Sequence, residues 1–450
     1  MNFKIKIISH ASVIVDLGEV KLLTDPWLFG NCFNDGWSLK KANLSEENIT
    51  QDEINSITHL YLSHEHPDHF HIPSLKNLVS NINFSNVEIL CKNDPRTKQD
   101  IVKILKNFGY KNFTLLNHLK HYNLNKNVSI RIYHHRHIDS ALLIFYKNKP
   151  LLINLNDCEM EKQECILIKN KFGSFPVLLN QFSIAGFDGI YSDKNLLNHK
   201  EKILNNMIDQ HVQLGAKTTI PFASFCWFSS FDNKFLNKYH NSLKDVSNKF
   251  QENKLNLYCM EPPSNFVDFR ELINKFKPPS KELIEVESQS KSELVKTSLI
   301  IKTIIKRISN LKTLSNRLIF YLLESHLIFF IKDNSTFIKV DFRSLKVKEI
   351  DILNTDDLCY LEINSQPLYF AFANSFGIQT LGVSGRYKFI NYKKVPTIWR
   401  FLRIISSLDN NKTPLRVCTL FNPYFYKVIF TRKSGLIIQI KQQLIRFRNL

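Results

Sequence analysis

The sequence predicts a layered α/β domain followed by a smaller, basic α+β domain, and three observations carry that expectation. Over residues 1–276, short runs rich in Val, Ile and Leu alternate with helical stretches, the order that builds a sheet covered by helices. A Pro-, Ser- and Glu-rich stretch at 277–300, KPPSKELIEVESQSKSELVKTSLI, then interrupts the pattern as an interdomain linker does. Over 301–450 the charge balance shifts: Ile363 to Leu450 holds fourteen Lys or Arg against one acid, Asp409, so most of the net charge of +19 sits at the C-terminal end.

Whole-chain properties narrow the class. A length of 450 residues suits two or three domains, and 44% hydrophobic content with 35 Phe supplies ample core. The start, MNFKIKIISHASVIVDLG, lacks the charged, apolar and small-residue regions of a signal peptide. The most apolar later run, Leu318 to Ile331, contains Glu324, Ser325 and His326 and is too short to span a bilayer. The eight cysteines include no Cys-x-x-Cys pair, which fits a reducing cytoplasm. The basic end favours phosphate-bearing partners, nucleic acid or an anionic membrane surface. A merely Lys- and Asn-rich composition is the plain alternative.

In chain order, Lys4 to Ile8, Ser12 to Asp16 and Lys21 to Thr24 read as strands, the third after a turn at Gly18. Gly30 to Asn48 is polar with aromatic points at Phe33 and Trp37, and reads as a mobile loop. Leu60 to Leu62 is a buried strand end. Next come a helix over His71 to Ser80, a strand over Val87 to Cys91, a helix over Asp94 to Gly109 and a strand over Phe113 to Leu116. Strands at Val128 to Tyr133, Leu142 to Tyr146 and Leu151 to Leu155 follow, the last delivering Asn156 and Asp157. Past the linker, Ser298 to Asn316 predicts a basic helix; Leu327 to Ile331, Thr336 to Val340, Leu368 to Ala373 and Lys427 to Thr431 predict strands. Heptads, tandem repeats and a P-loop are absent from the sequence.

The chemistry concentrates in THLYLSHEHPDHFH, Thr58 to His71, which places His64, His66, Asp68 and His69 within six residues. A turn leaving a strand aims alternate side chains the same way, so His64 and His66 can serve one divalent ion. Beyond the bend at Pro67, Asp68 and His69 can reach a second. Imidazole suits zinc and iron, and a carboxylate hardens the site without closing it. The bland reading is a histidine-rich surface loop that picks up metal incidentally, but the order His-x-His-x-Asp-His after a strand is hard to produce by chance.

HEHPDH resembles the signature of the metallo-β-lactamase-fold hydrolases, which implies a four-layer αββα sandwich for the first domain. ISHASVIVDLGEVKLLTDPWLFG is similar to the opening hairpin of that fold, and the resemblance puts His10 and Asp25 near the active-site mouth. Asp25 before Pro26 is also an ordinary turn former. The resemblance further implies a His after the first of the later strands as the remaining ligand of the first ion, and Asp157 as a bridge to the second. The loop offers His134, His135 and His137. Strand alternation sets His135 and His137 on one face, and His137, then His135, are the first choices; all three could instead line the pocket.

The family's last His, for the second ion, is missing from Ala216 to Asn237, with His211 before that stretch and His240 after it. Another ligand serves, or a single ion is bound. NLNDC, QFSIAGF, IPFASF and SGRY resemble the branch containing the metallo-hydrolase domain of CMP-N-acetylneuraminate hydroxylases, with ascorbate-6-phosphate lactonases as more distant cousins. Those hydroxylases also carry a Rieske iron–sulfur domain, which needs Cys-x-His and Cys-x-x-His pairs. This sequence contains neither, so electron input would come from another chain.

The expected function is that of a cytoplasmic metal-dependent hydrolase with one or two zinc ions, iron or manganese being compatible. It would activate water against an ester, lactone or phosphodiester of an anionic, phosphorylated or nucleotide-linked small molecule, with Asp68 taking the proton. Arg386 in SGRY is a candidate anion contact, or simply a surface residue. Two other readings stand beside it. One is an iron-dependent oxygenase-like component acting on a CMP-linked or acidic sugar with a separate Rieske or ferredoxin-like partner. The other is a nucleic-acid or membrane-surface binding protein with a degenerate metal site.

Overall fold

The computed structural model describes residues 3–43, 48–80, 86–93, 98–135, 139–285, 292–309, 326–351, 358–392 and 395–408. Its first body contains β1 (Lys4–Ile7), β2 (Val13–Asp16), β3 (Lys21–Thr24), β4 (Trp37–Leu39), β5 (His59–Leu62), β6 (Glu88–Lys92), β7 (Asn112–Leu116) and β8 (Tyr122–Asn123). It continues with β9 (Val128–His134), β10 (Ser140–Tyr146), β11 (Lys149–Asn154), β12 (Val177–Gln181), β13 (Thr218–Phe222), β14 (Cys226–Phe228) and β15 (Val267–Asp268). The helices are α1 (Gln51–Ser56), α2 (Ile72–Val79), α3 (Lys98–Phe108), α4 (Lys162–Phe172), α5 (Asp193–Leu214), α6 (Leu243–Glu252) and α7 (Phe269–Asn274).

These strands form a seven-stranded sheet, β15-β1-β2-β3-β5-β6-β7, and a six-stranded sheet, β13-β12-β11-β10-β9-β8. The two face each other across a core built from Ile5, Val13 and Tyr61 on one side and Ile132, Leu142 and Leu179 on the other. The outer face of the first sheet packs Leu23, Leu60 and Ile89 against Leu75, Leu78 and Leu105 of α2 and α3. The outer face of the second packs Leu143 and Ile153 against Cys165 and Ile168 of α4. The result is the αββα sandwich. A strand covered on both faces reads as a continuous apolar run rather than an alternation, as β10 does: SALLIFY is buried from Ser140 to Phe145. Each such Leu or Ile contributes roughly 1.5–3 kcal/mol of burial.

The second body holds α8 (Thr297–Ser309), β16 (His326–Ile331), β17 (Thr336–Asp341), β18 (Lys346–Ile350), β19 (Tyr360–Ile363), α9 (Ser365–Ala373), α10 (Gly377–Ser384), β20 (Tyr387–Ile390) and α11 (Thr397–Leu408). Its five-stranded sheet, β18-β17-β16-β19-β20, has a core of its own. Ile300, Ile304 and Ile308, one helical turn apart, press α8 onto that core. The two bodies are fastened by a bridge between Ile190 and Phe389, by paired amides of Asn34 and Gln366 at 2.9 Å, and by Asn233 Nδ2 donating to the Ser384 carbonyl at 2.6 Å. Gly36 permits this approach, since a Cβ there would stand 2.7 Å from Ser384 Cβ.

Two expectations change. Leu368 to Ala373 is not a strand but part of helix α9, in which Leu368, Ala371 and Phe372 face the core. A short apolar run has no period to separate the two states, and Pro367 in the first turn suits a helix start. The expected mobile loop at Gly30 to Asn48 contains β4, which pairs with β14, and Phe33 and Trp37 are buried. The aromatic side chains anchor what polar composition suggested was loose. The start of the expected linker also packs on the first body, through bridges of Lys277 to Tyr258 and Ile284 to Lys41.

Residues 310–316 of the expected basic helix, Lys427 to Thr431 and most of the basic end lie outside the described residues. Of the fourteen cations, only Arg386, Lys388, Arg400 and Arg403 are described. Among the described residues, no helix is long and apolar enough to cross a membrane. The described cysteines are all free, and only Cys359 is exposed.

Candidate metal centre

Strand β5 ends at Leu62, and the tight turn after it is tied by the amides of His69 and Phe70 donating to the His66 carbonyl. This turn presents its side chains to two convergent groups. In one, ligand atoms of His64, His66 and Asp157 lie within 4.8 Å of one another; in the other, those of His10, Asp68 and His69 do. Asp157 follows β11 and faces both: Oδ2 is 3.7 Å from His64 Nε2, and Oδ1 is 3.0 Å from His69 Nε2. His64 Nε2 and His66 Nδ1 are 2.9 Å apart. Asp68 Oδ2 stands 3.3 Å from His10 Nε2 and 3.4 Å from His69 Nε2.

The sequence-predicted residues divide accordingly. His64, His66, Asp68, His69 and Asp157 come together. His10, which the sequence placed only near the mouth, stands third in the group left short by the missing last His. His211 hydrogen-bonds Thr219 Oγ1 at 2.8 Å and His240 faces Lys40, so neither takes that place. His137 lies outside the described residues. His135 is not in either convergent group: the buried Glu164 needs partners, and His135 Nδ1 at 3.3 Å and the Tyr133 hydroxyl at 2.8 Å supply them. Its Nε2 is nonetheless buried without a partner, and a carboxylate on the other ring nitrogen is how a ligating imidazole is commonly oriented. His134 packs against His118. His71, last in the turn, serves as the N-cap of α2 by accepting from Ser74 N.

Sequence reasoning missed Asp139, whose Oδ1 is 3.8 Å from His64 Nε2. The signal for it in the sequence is an acid immediately before a strand and after a His-rich loop. Arg386, the expected anion contact, is spent on structure. Its guanidinium is buried, pairs with Asp232 at 3.1 Å and donates to the Asn34 carbonyl at 2.5 Å. Asp25 is the support beneath the turn: it accepts from Ser63 N and Ser63 Oγ and stands 2.9 Å from His69 Nδ1. Asp25, Asn156 and Ala223 carry positive φ of 35°, 50° and 47° around the centre, the kind of local strain that gathers at functional sites.

Electrostatics and orphaned atoms test the fit of a divalent cation. Burial alone would raise Asp68 and Asp157, but neighbouring imidazoles, His69 foremost, hold both below the usual carboxylate range. His69, despite burial, is raised by Asp157, Asp68 and Asp25. Burial and the charge of His69 push His64 down, leaving a neutral ring ready to donate a lone pair. Asp139 is raised by burial and then by Asp157. Among the described residues, His66 Nε2 and Asp68 Oδ1 are buried with no hydrogen-bond partner, and His69 Nε2 and Asp157 Oδ1 have only each other, at 3.0 Å. Buried polar atoms are rarely left so, and a cation between them answers both the orphans and the crowded carboxylates, so the residues fit a metal ion. A cavity of about 620 Å³ opens over His66, Asp68, Asp139 and Asp157.

Residues 4–157 match the Beta-lactamase superfamily domain. The inactive cytidine monophosphate-N-acetylneuraminic acid hydroxylase of Homo sapiens is 23% identical over 297 residues, 63% of this chain and 57% of that protein. The cytidine monophosphate-N-acetylneuraminic acid hydroxylase of Pongo pygmaeus is 23% identical over 266 residues, 56% of this chain and 42% of that one. The chain thus spans about half the length of the curated relatives it matches. Among solved structures, CmlA, a diiron β-hydroxylase from Streptomyces venezuelae, aligns with a TM-score of 0.43 at 11% identity, over 60% of this chain and 54% of that one. A possible metal-dependent hydrolase from Veillonella parvula aligns with a TM-score of 0.43 at 11% identity, over 60% and 99%. The matched residues 4–157 carry the ligand-rich turn after β5 and Asp157, and the two facing sheets clad in helices have the layering that the resemblance to metallo-β-lactamase-fold proteins implied.

Proposed function

We propose that this chain is a metal-dependent hydrolase acting on a small anionic molecule through an ester, lactone or phosphodiester bond. The observation that carries the reading is the convergence of two three-residue groups on the shared Asp157 at the floor of a cavity. His64, His66 and Asp157 would hold one ion, with His135, oriented by Glu164, as the remaining imidazole; His10, Asp68 and His69 would hold the other. A bound divalent ion, zinc, iron or manganese, supplies Lewis acidity and a water of lowered pKa. Asp68 would accept the proton at Oδ1, which has no protein partner, while its Oδ2 faces His10 and His69. Phe33 and Trp37 exclude water from one wall of the cavity.

The test is metal analysis of protein purified without added metal, beside His64→Ala and Asp157→Ala, with reductant-free assays on ester, lactone and phosphodiester panels. Stoichiometric transition metal in the parent, reduced in both variants, together with turnover of one bond class, is expected. Metal-free parent protein, or metal content unchanged in both variants, rejects the site.

A second reading rests on the hydroxylase relatives, whose similarity runs beyond residue 157: an iron-dependent oxygenase acting on a CMP-linked or other acidic sugar with a separate Rieske or ferredoxin-like partner. Oxygen consumption that requires such a reductant favours it, and hydrolysis without reductant counts against it.

A further inference from the structure

The cavity over the metal centre has two unlike walls. The first body contributes an acid-rich one, with Asp68, Asp139 and Asp157 close to the convergent ligand atoms. The second body closes the other side with Arg400 and Arg403. These stand three residues apart on α11, hence on one helix face. Trp399 and Leu402, buried in the second core, turn that face towards the cavity. Arg403 is half-buried and Arg400 exposed. Among the described residues neither is in an ion pair, in contrast to Arg386, which is committed to Asp232. The Arg403 guanidinium rests over Gly382, where an added Cβ would lie 2.7 Å from Cζ and Nε and move that flexible end aside.

We infer that Arg400 and Arg403 form an anion-binding wall, and that the molecule entering this cavity carries an acidic group, carboxylate or phosphate, at the end remote from the metal centre. The inference rests on the metal-centre reading above and adds the substrate's second handle. A guanidinium is a fixed fork of donors matched to planar or tetrahedral oxyanions. Glu159 and Asp188 line the same cavity, but among the described residues neither arginine is in an ion pair with a carboxylate, so the two guanidiniums stay open to an anion. A doubly functional ligand matches this arrangement, one end at the metal centre and the other at α11. A volume of about 620 Å³ accommodates such a molecule.

Calorimetric titration of the zinc-loaded full chain with hexanoate, adipate and 6-phosphohexanoate tests this. Adipate and 6-phosphohexanoate bind about tenfold more tightly than hexanoate to the parent protein, and the larger of the two gains identifies carboxylate or phosphate as the preferred end. The double variant Arg400→Ala/Arg403→Ala loses that gain while its hexanoate affinity is unchanged. Arg403→Lys keeps part of it, which a merely structural arginine would not show. No gain in the parent, or an equal gain in the double variant, overturns the inference. Hexanoate binding that survives removal of the metal counts against the metal-centre reading alone, because the arginine arm is read as a difference between ligands.

Discussion

The two groups of convergent side chains meet where Asp157 of one approaches His69 of the other, yet they live in different surroundings. His10, Asp68 and His69 are all buried, and His69 is further held by Asp25 from below. In the other group only His64 is buried, while His66 and the 18%-exposed side chain of Asp157 look into the cavity. Closed sites suit an ion that stays and positions its neighbours; a site with an open side suits one that exchanges water and substrate. On the proposed reading, the His64 group would hold the ion that exchanges water, and the His10 group would support it, with Asp68 as its one member that reaches the cavity.

The strongest test separates the groups by their ligands. Asp157→Ala lowers metal content at both, His66→Ala only at the open group and His10→Ala only at the closed one, each by roughly a hundredfold or more in affinity, a ligand being worth more than an outer partner. Competition with a chromophoric chelator resolves the two affinities. If His66→Ala and His10→Ala gave the same loss at the same ion, the division into two groups would be wrong.

Asp25→Asn comes next. The amide keeps the shape but loses the charge that faces His69 Nδ1 and Ser63. Affinity at the closed group falls by about 10–100-fold, while the open group changes little. Equal loss at both would mean that Asp25 holds the whole turn rather than His69.

How much of this was legible beforehand follows from how local each feature is. His64, His66, Asp68 and His69 could be read because one turn after one strand supplies all four. The pairing of His10 with Asp68 could not, because it needs the loop after β1 to fold over the turn after β5, a tertiary contact with no sequence period. Asp139 was hidden for a similar reason: its approach to His64 joins the two sheets. A layered α/β domain was legible from apolar runs and spacing, and the four-layer sandwich only through the resemblance carried by HEHPDH. The pairing of β4 with β14 was not, since Trp37 and Phe228 are remote in the chain and each run is too short to declare itself. Arg386 misled because an arginine after a Gly reads as an exposed turn, whereas here it crosses the join between the two bodies to reach Asp232.

Glu164→Gln probes whether His135 belongs to the open group. The amide can still accept a hydrogen bond, but it no longer holds the ring with a charge. Metal affinity at the open group falls by about tenfold, the lower end for an outer partner, and the closed group is unaffected. No change at either group would leave His135 as a partner of Glu164 and Tyr133 alone.

The smallest effect expected is in pH dependence, and it distinguishes the closed group by its protons. Burial would depress His10, but Cys226 and Asp68 outweigh it and carry the imidazole up to about 9. A raised histidine stabilises the folded state fully below its unfolded value near 6.5, and that contribution is lost as pH rises through the folded value. Metal-free protein therefore loses part of its stability as pH rises above about 6.5, as His10 gives up the proton that pairs it with Asp68, and the raised His69 of the same group adds to the loss in the same direction. With metal bound, the imidazole is unprotonated throughout, so that loss disappears and protons compete less with the ion at higher pH. The metal-induced rise in melting temperature accordingly widens from pH 6.5 to 9, by about a few degrees. Lys40, which burial lowers to about 8, shifts stability in the opposite sense, upward with pH, in both forms. Taking the difference between loaded and metal-free protein removes its contribution, and a difference that stays flat across this window would remove His10 from the closed group.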